Sequence, residues 1–271
     1  MKFDSNRAWK QASTAISANR DVLLALAGVF YLLPGLAFGL LLPAPEPTAG
    51  MDEEAMLAMM TGYYASASPF LILAMLFQAA GTLALLTLLT DKARPTVGEA
   101  IKSGFGNFLF YVLAQIILGL GILIVAAIVL AMAGATGLPL IVGVALVVVA
   151  GVAIYAAVKS SLVAPVIAVE GQRNPLEALK RSWLLTRGNG WRLGLFYALV
   201  AVAFTVVILI ATAFIGIIAA LLVGQVTGEV IATVVSATLS AVMALYFVAI
   251  VAAAHRQLAG PSPEAESRPF E

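Results

Sequence analysis

Residues 193–223 read LGLFYALVAVAFTVVILIATAFIGIIAALLV, a run without one Asp, Glu, Lys, Arg or His. A helix rising about 1.5 Å per residue crosses a hydrocarbon core of about 30 Å in about 20 residues, so this run exceeds what one crossing needs. Its surplus predicts tilt, a kink near Gly216 or continuation beyond the core. Outward from it, five more uncharged apolar runs fall at 22–42, 69–90, 108–131, 138–158 and 230–254. The composition agrees, with 62% hydrophobic and 11% charged residues, where a soluble domain carries about 25% charged. So few charges cannot cover a water-facing surface, which excludes a soluble enzyme or a nucleic-acid binder.

The expected class is therefore all-α: a polytopic protein with six transmembrane helices. Residues 1–256 form one membrane domain and 257–271 a disordered polar tail. The first run follows a basic stretch, as a secretory signal does. Its apolar length exceeds the 7–15 residues, roughly, of a signal core, so it reads as a retained helix.

Orientation follows from Lys and Arg. Lys2, Arg7, Lys10 and Arg20 precede the first span, and Lys92, Arg94 and Lys102 lie between the second and third. Lys159, Arg173, Lys180, Arg181, Arg187 and Arg192 lie between the fourth and fifth, and Arg256 and Arg268 follow the last. All 15 basic residues thus fall on one side, while Glu46, Asp52, Glu53, Glu54 and Glu229 mark the other. The expected location is the cytoplasmic (inner) membrane of a bacterium, multi-pass, with both termini in the cytoplasm.

The basic side carries an internal similarity. Thr96-Val-Gly-Glu99-Ala-Ile-Lys102 and Asn174-Pro-Leu-Glu177-Ala-Leu-Lys180 each place a cap residue three positions before a Glu. That spacing satisfies orphan amides at a helix start, and Pro175 suits the first helical position. At the N-terminus Ala8, Trp9, Ala12, Ala15 and Ile16 share one helical face, with Arg7, Lys10, Thr14 and Ser17 on the other, as in a helix lying in the interface. The chain then reads as three units, each a cytoplasmic amphipathic helix followed by a membrane hairpin.

No constellation in the spans carries catalysis. Between their interfacial ends the spans hold no Asp, Glu, His, Lys or Arg, which disfavours an ion-coupled pump. Gln78, Gln115, Thr82, Thr205, Thr212, Thr233, Ser236, Thr238 and Ser240 remain, and interhelical hydrogen bonding is their ordinary role. Gly35 and Gly39 form a GxxxG, Ser236 and Ser240 a small-xxx-small pair, and Pro34 predicts a kink. Cysteine is absent, so no thiolate chemistry or sulfur-built zinc site exists. Met51, Met56, Met59 and Met60 without His or Cys support are not read as a metal site, and no cofactor is expected. His255, the one histidine, has no partner in sequence and reads as a cap at a helix end.

Lys159 is the exception. An apolar stretch, Leu162 to Val169, follows it, so either a continuous helix carries the lysine into the bilayer or span four ends near Ser160. In the second case Pro165 starts a bent, interfacial continuation and Lys159 snorkels to the headgroups. With Arg173, Lys180, Arg181 and Arg187 it makes a basic collar that attracts anionic lipid by about 1 kcal/mol per charge. Leu176, Leu179 and Trp183 share a face toward the membrane, and Trp9, Trp183 and Trp191 are interface anchors.

Pro165, Glu170, Ala178-Leu179, Ser182, Leu185 and Gly188 through Trp191 resemble the pattern of the glycerophosphoryl diester phosphodiesterase membrane domain and the related YciC-like bacterial inner-membrane proteins. The segment Thr96 to Gly104 is similar to that family's earlier cytoplasmic helix. The resemblance implies a six-span organisation in which Pro165, Glu170, Glu177, Trp183 and Trp191 are structural motif positions. The barrel that carries catalysis in those phosphodiesterases has no counterpart here, so the expectation is a non-enzymatic protein that binds or organises anionic phospholipid in envelope or lipid homeostasis. The rival is a transporter or channel for a small neutral or anionic solute, lined by Gln78, Gln115 and the Thr and Ser of spans five and six. Membrane phospholipids are the expected partners, with a second copy of the chain or another membrane protein as further candidates and nucleic acid excluded.

Overall fold

The computed structural model describes residues 2–43, 45–48, 50–90 and 95–260. Among them all regular structure is helical, and six helices are long and apolar enough to cross a membrane. The chain is a multi-pass membrane protein. Lys92, Arg94, Arg268 and most of the expected tail, residues 261–271, lie outside the described residues.

Helix α1 (Ser5–Ala18) starts where the Asp4 carboxylate accepts from the Arg7 amide, and it buries Ala8, Ala12 and Ile16. The first span joins α2 (Arg20–Ala27), a single π turn (Gly28–Leu32) and α3 (Leu33–Leu41). Pro34 explains the π turn: its ring and missing N–H disturb the preceding turn, and the ladder widens so that the Leu33 amide donates to the Gly28 carbonyl. The kink expected at Pro34 takes this form.

The second and third spans are longer than the apolar runs. Helix α4 is Glu53–Thr90 and α5 is Val97–Gly134. Pro69, taken as the start of span two, lies inside α4 instead. A proline there frees the Ala65 carbonyl, and the Ser68 hydroxyl donates to it at 2.8 Å, so the helix continues. Tyr63 on the added turns donates to the Leu42 carbonyl at 2.8 Å and ties them to the end of α3. At the other end α4 and α5 nearly touch at Gly104, where a Cβ would sit 2.5 Å from the Ala80 carbonyl oxygen.

The Thr96 capping box forms as expected, with Thr96 Oγ1 accepting from the Glu99 amide and Glu99 reaching back to the Thr96 amide. The amphipathic helix expected there is not a separate element: its residues are the first turns of α5. The counterpart helix is separate. Asn174 caps α8 (Pro175–Leu185) by accepting from the amides of Leu176 and Glu177. The three supposed units are therefore built differently, with free-standing helices in the first and third only.

Span four is α6 (Pro139–Ser160), which stops where expected and is followed by α7 (Val163–Ala168). That continuation is not interfacial. Leu162, Val163, Val166 and Ile167 are fully buried, and α7 packs against α4, α5, α8 and α10, because these apolar side chains gain more from the protein interior than from headgroups. Helix α9 (Gly190–Val223) is one unbroken helix through Gly216, and α10 (Gln225–Ala259) ends beyond the expected limit of the membrane domain at residue 256.

The core lies toward the end of the bundle that holds α1, α7 and α8, built from Leu23, Leu26, Phe30, Leu83, Leu86, Leu245 and Ile250. Helix α4 is central, with 44% of its most apolar window buried. For α5 and α9 the figure is 6%, so their apolar faces are left to the bilayer.

Candidate functional site

The break between α6 and α7 leaves a carbonyl and an amide without helical partners, in surroundings where each would be costly. One side chain satisfies both. The buried Ser182 hydroxyl of α8 donates to the Lys159 carbonyl at 2.7 Å and accepts from the Leu162 amide at 3.2 Å. Thr186, one turn on, is fully buried and donates to the Ser182 carbonyl at 2.9 Å. This pins α8 across the break. After it, Gly188 turns with φ +77, a left-handed backbone that favours glycine, and Asn189 Oδ1 accepts from the Phe3 amide at 2.8 Å. Gln257, assigned to the tail, is instead helical and holds Asp4 through its side chain at 3.0 Å.

The five cations of the expected collar separate. Lys159 is only 8% exposed, its stem covered and its Nζ 5.8 Å from the centre of the Tyr155 ring, in the range of a cation–π contact. Trp183 of α8 meets the same ring edge-on at 6.0 Å. Lys180 and Arg187 converge on this point. Together Lys159, Lys180 and Arg187 form the basic mouth of a groove of about 710 Å³, which continues between α5 and α6 along Ile117, Gly121, Val125 and Val152. Leu179 joins its wall, but Leu176 does not and is 60% exposed. Lys180 also lies 3.8 Å from Glu177, both on the surface.

Arg181 is committed elsewhere. Its Nε donates to Glu170 Oε2 at 2.9 Å and a terminal nitrogen to Oε1 at 3.4 Å. His255, 4% exposed, places Nε2 2.8 Å from Glu170 Oε1, so the histidine read as unpartnered has a partner after all. That contact joins residues 85 positions apart and ties the loop after α7 to α10. Partial burial raises the Glu170 pKa, but the hydrogen bonds from His255 and Arg181 outweigh it and hold the carboxylate below its ordinary range. Arg173 and Trp191, the latter 81% exposed, border no cavity described here.

A second groove, of about 900 Å³, was not foreseen from the sequence. It runs between the start of α1 and α9, with Lys2, Trp9 and Arg192 at one end and Leu195, Leu199 and Phe204 along it. Asp4 borders it as well, which offsets part of its positive charge. Trp9 stacks on Tyr246 at 5.5 Å, so this anchor is also an interhelical contact.

Against known proteins, a family model described as Domain of unknown function (DUF7847) matches residues 7–258. No curated protein and no solved structure matches the chain.

Proposed function

We propose that this chain, which belongs to the DUF7847 family, is a membrane protein that binds anionic phospholipid in the groove between α5, α6 and α8. The observation that carries the reading is the groove itself. Its walls are mostly apolar, with Ile117, Leu118, Ile122, Val125 and Val152 along them, and Lys159, Lys180 and Arg187 gather at its mouth, where a phosphate would lie. No acidic residue lines it, in contrast to the groove at Lys2 and Arg192, and for that reason we prefer it.

On this reading the protein binds or organises lipid in envelope or lipid homeostasis and catalyses no reaction. Its basic end faces the cytoplasm of a bacterium, as the positive-inside rule favours. The Pro165-to-Trp191 pattern resembling the membrane domain of the glycerophosphoryl diester phosphodiesterases and YciC-like proteins points the same way.

The test is the lipid that co-purifies in mild detergent, identified by mass spectrometry. Each juxtamembrane cation contributes about 1 kcal/mol. The combined variant Lys159→Gln, Lys180→Gln, Arg187→Gln is therefore expected to bind anionic lipid about two orders of magnitude more weakly. Arg7→Gln, Lys10→Gln, Arg173→Gln removes equal charge from the same end but away from the groove, and should retain the lipid. Equal loss in both variants, or no anionic lipid on the native protein, would reject the reading.

A further inference from the structure

A different cavity lies among the first span, α4, α9 and α10. It is an open cleft of about 710 Å³, with Pro43 and Glu229 at the end away from the cations and the exposed Ser240 farther along it. Small residues make the room: Gly35 faces Ala237, and a Cβ on Gly39 would meet the Thr233 methyl at 2.6 Å. The GxxxG of the first span thus packs on Thr233 and Ala237 of α10, not on the Ser236 and Ser240 pair, and shapes one wall.

The cavity's polar groups are unusual for membrane depth. The Gln78 amide and the hydroxyls of Ser236 and Ser240 line it without a hydrogen-bond partner among the described residues, and so does the buried Thr212 Oγ1. Thr233, beside them, is satisfied by the Glu229 carbonyl at 2.9 Å, and Tyr31 by Thr82 at 2.7 Å. An unpaired polar group in hydrocarbon costs about 1–3 kcal/mol; the buried Thr212 Oγ1 is such a group, and Gln78, Ser236 and Ser240 line the same cleft. Lipid tails cannot offset that cost. Water or a hydrogen-bonding molecule can.

We infer that this cavity is a water-filled vestibule that binds a neutral solute bearing several hydroxyl or amide groups, entering past Glu229. The lining selects for that class. No Lys, Arg or His borders the cavity, and the one charge, Glu229, is a carboxylate at the rim, so an anion meets repulsion and no counter-charge. Gln78, Thr212, Ser236 and Ser240 offer both donors and acceptors, which suits hydroxyls and amides. The inference does not rest on the lipid groove, which lies on other helices.

The natural absence of cysteine makes the test direct. Ser236→Cys and Ser240→Cys, each a near-isosteric single change, are reconstituted in lipid nanodiscs and treated with a charged, membrane-impermeant methanethiosulfonate. Leu209→Cys, at a position 64% exposed on the flank of α9, reports hydrocarbon. Glu53→Cys, at the start of α4, reports bulk water. A thiol ionises only where water reaches it, so the two cavity thiols should react at least about tenfold faster than the Leu209→Cys thiol. Sorbitol should then slow labelling at Ser236→Cys and Ser240→Cys several-fold while leaving Glu53→Cys unchanged. Cavity thiols as inert as Leu209→Cys would show a dry or lipid-filled cleft and overturn the inference. Reactive thiols that sorbitol slows no more than Glu53→Cys would show water without a solute site, and overturn the binding claim.

Discussion

Glu170 joins three elements through one carboxylate: the loop after α7, α8 through Arg181 and α10 through His255. Its pKa in the folded protein is held below the ordinary carboxylate value, so the linkage stabilises at pH above that ordinary value and is lost as pH falls through the folded one. Thermal unfolding in detergent, followed from about pH 7 to about pH 3, should therefore show native stability declining below the ordinary carboxylate range. Glu170→Gln should be less stable at neutral pH and lose much of that decline, and curves that run parallel would argue against the linkage. The sequence marked Glu170 as a motif position, yet His255 read as unpartnered. A contact across 85 positions leaves no periodic or spacing signal, so only the folded chain could reveal it. The same holds for Lys159. Its choice between bilayer and headgroups was open in sequence; what the fold adds is a covered stem beside the Tyr155 ring, with Lys159 at a groove mouth.

Among the elements, the break in span four organises the basic end. Ser160 and Pro165 signalled the break, but not that α7 would turn inward, because eight apolar residues suit an interface and a core equally well. What decides is the buried hydroxyl of Ser182, which lets the chain interrupt its ladder without orphaned groups. Ser182→Ala should cost about 1–3 kcal/mol, read as a lowered unfolding temperature, since it strands the Lys159 carbonyl and the Leu162 amide together. An unchanged temperature would mean that Thr186 or water takes over both bonds. Helix starts were readable where side chains cap them, at Thr96 and Asn174. Helix lengths were less so. Pro69 looked like a boundary because proline removes a hydrogen bond, and the compensation by Ser68 is a local detail that hydropathy does not register. The repeated cap pattern likewise describes how two helices begin, not what they become: one enters the membrane directly and the other stops after 11 residues.

At the scale of the whole molecule, six spans were countable from uncharged runs alone, and all six form. Which faces meet each other was not, since apolar residues cover spans on every side and no stripe separates core from lipid. That is why both grooves and the polar vestibule escaped the sequence, although it named Lys159, Lys180, Arg187, Gln78, Ser236 and Ser240 individually. The packing is uneven: α4 and α10 hold the centre, while α5, α6 and α9 give most of their surface to the bilayer. The groove proposed for lipid opens in that outer layer, where acyl chains would have access without crossing the core. Its charge and its shape are separable by experiment. Gly121 lines the groove with open space beyond its Cα, so Gly121→Trp fills the acyl path while every cation stays in place. The decisive measurement is the anionic lipid retained by that variant after purification in mild detergent. Lipid reduced to the level of the Lys159, Lys180, Arg187 variant is what a groove that holds acyl chain and phosphate together requires. Retention equal to the native protein would mean that the cations act alone, as a signal for orientation, and that the groove is not the site.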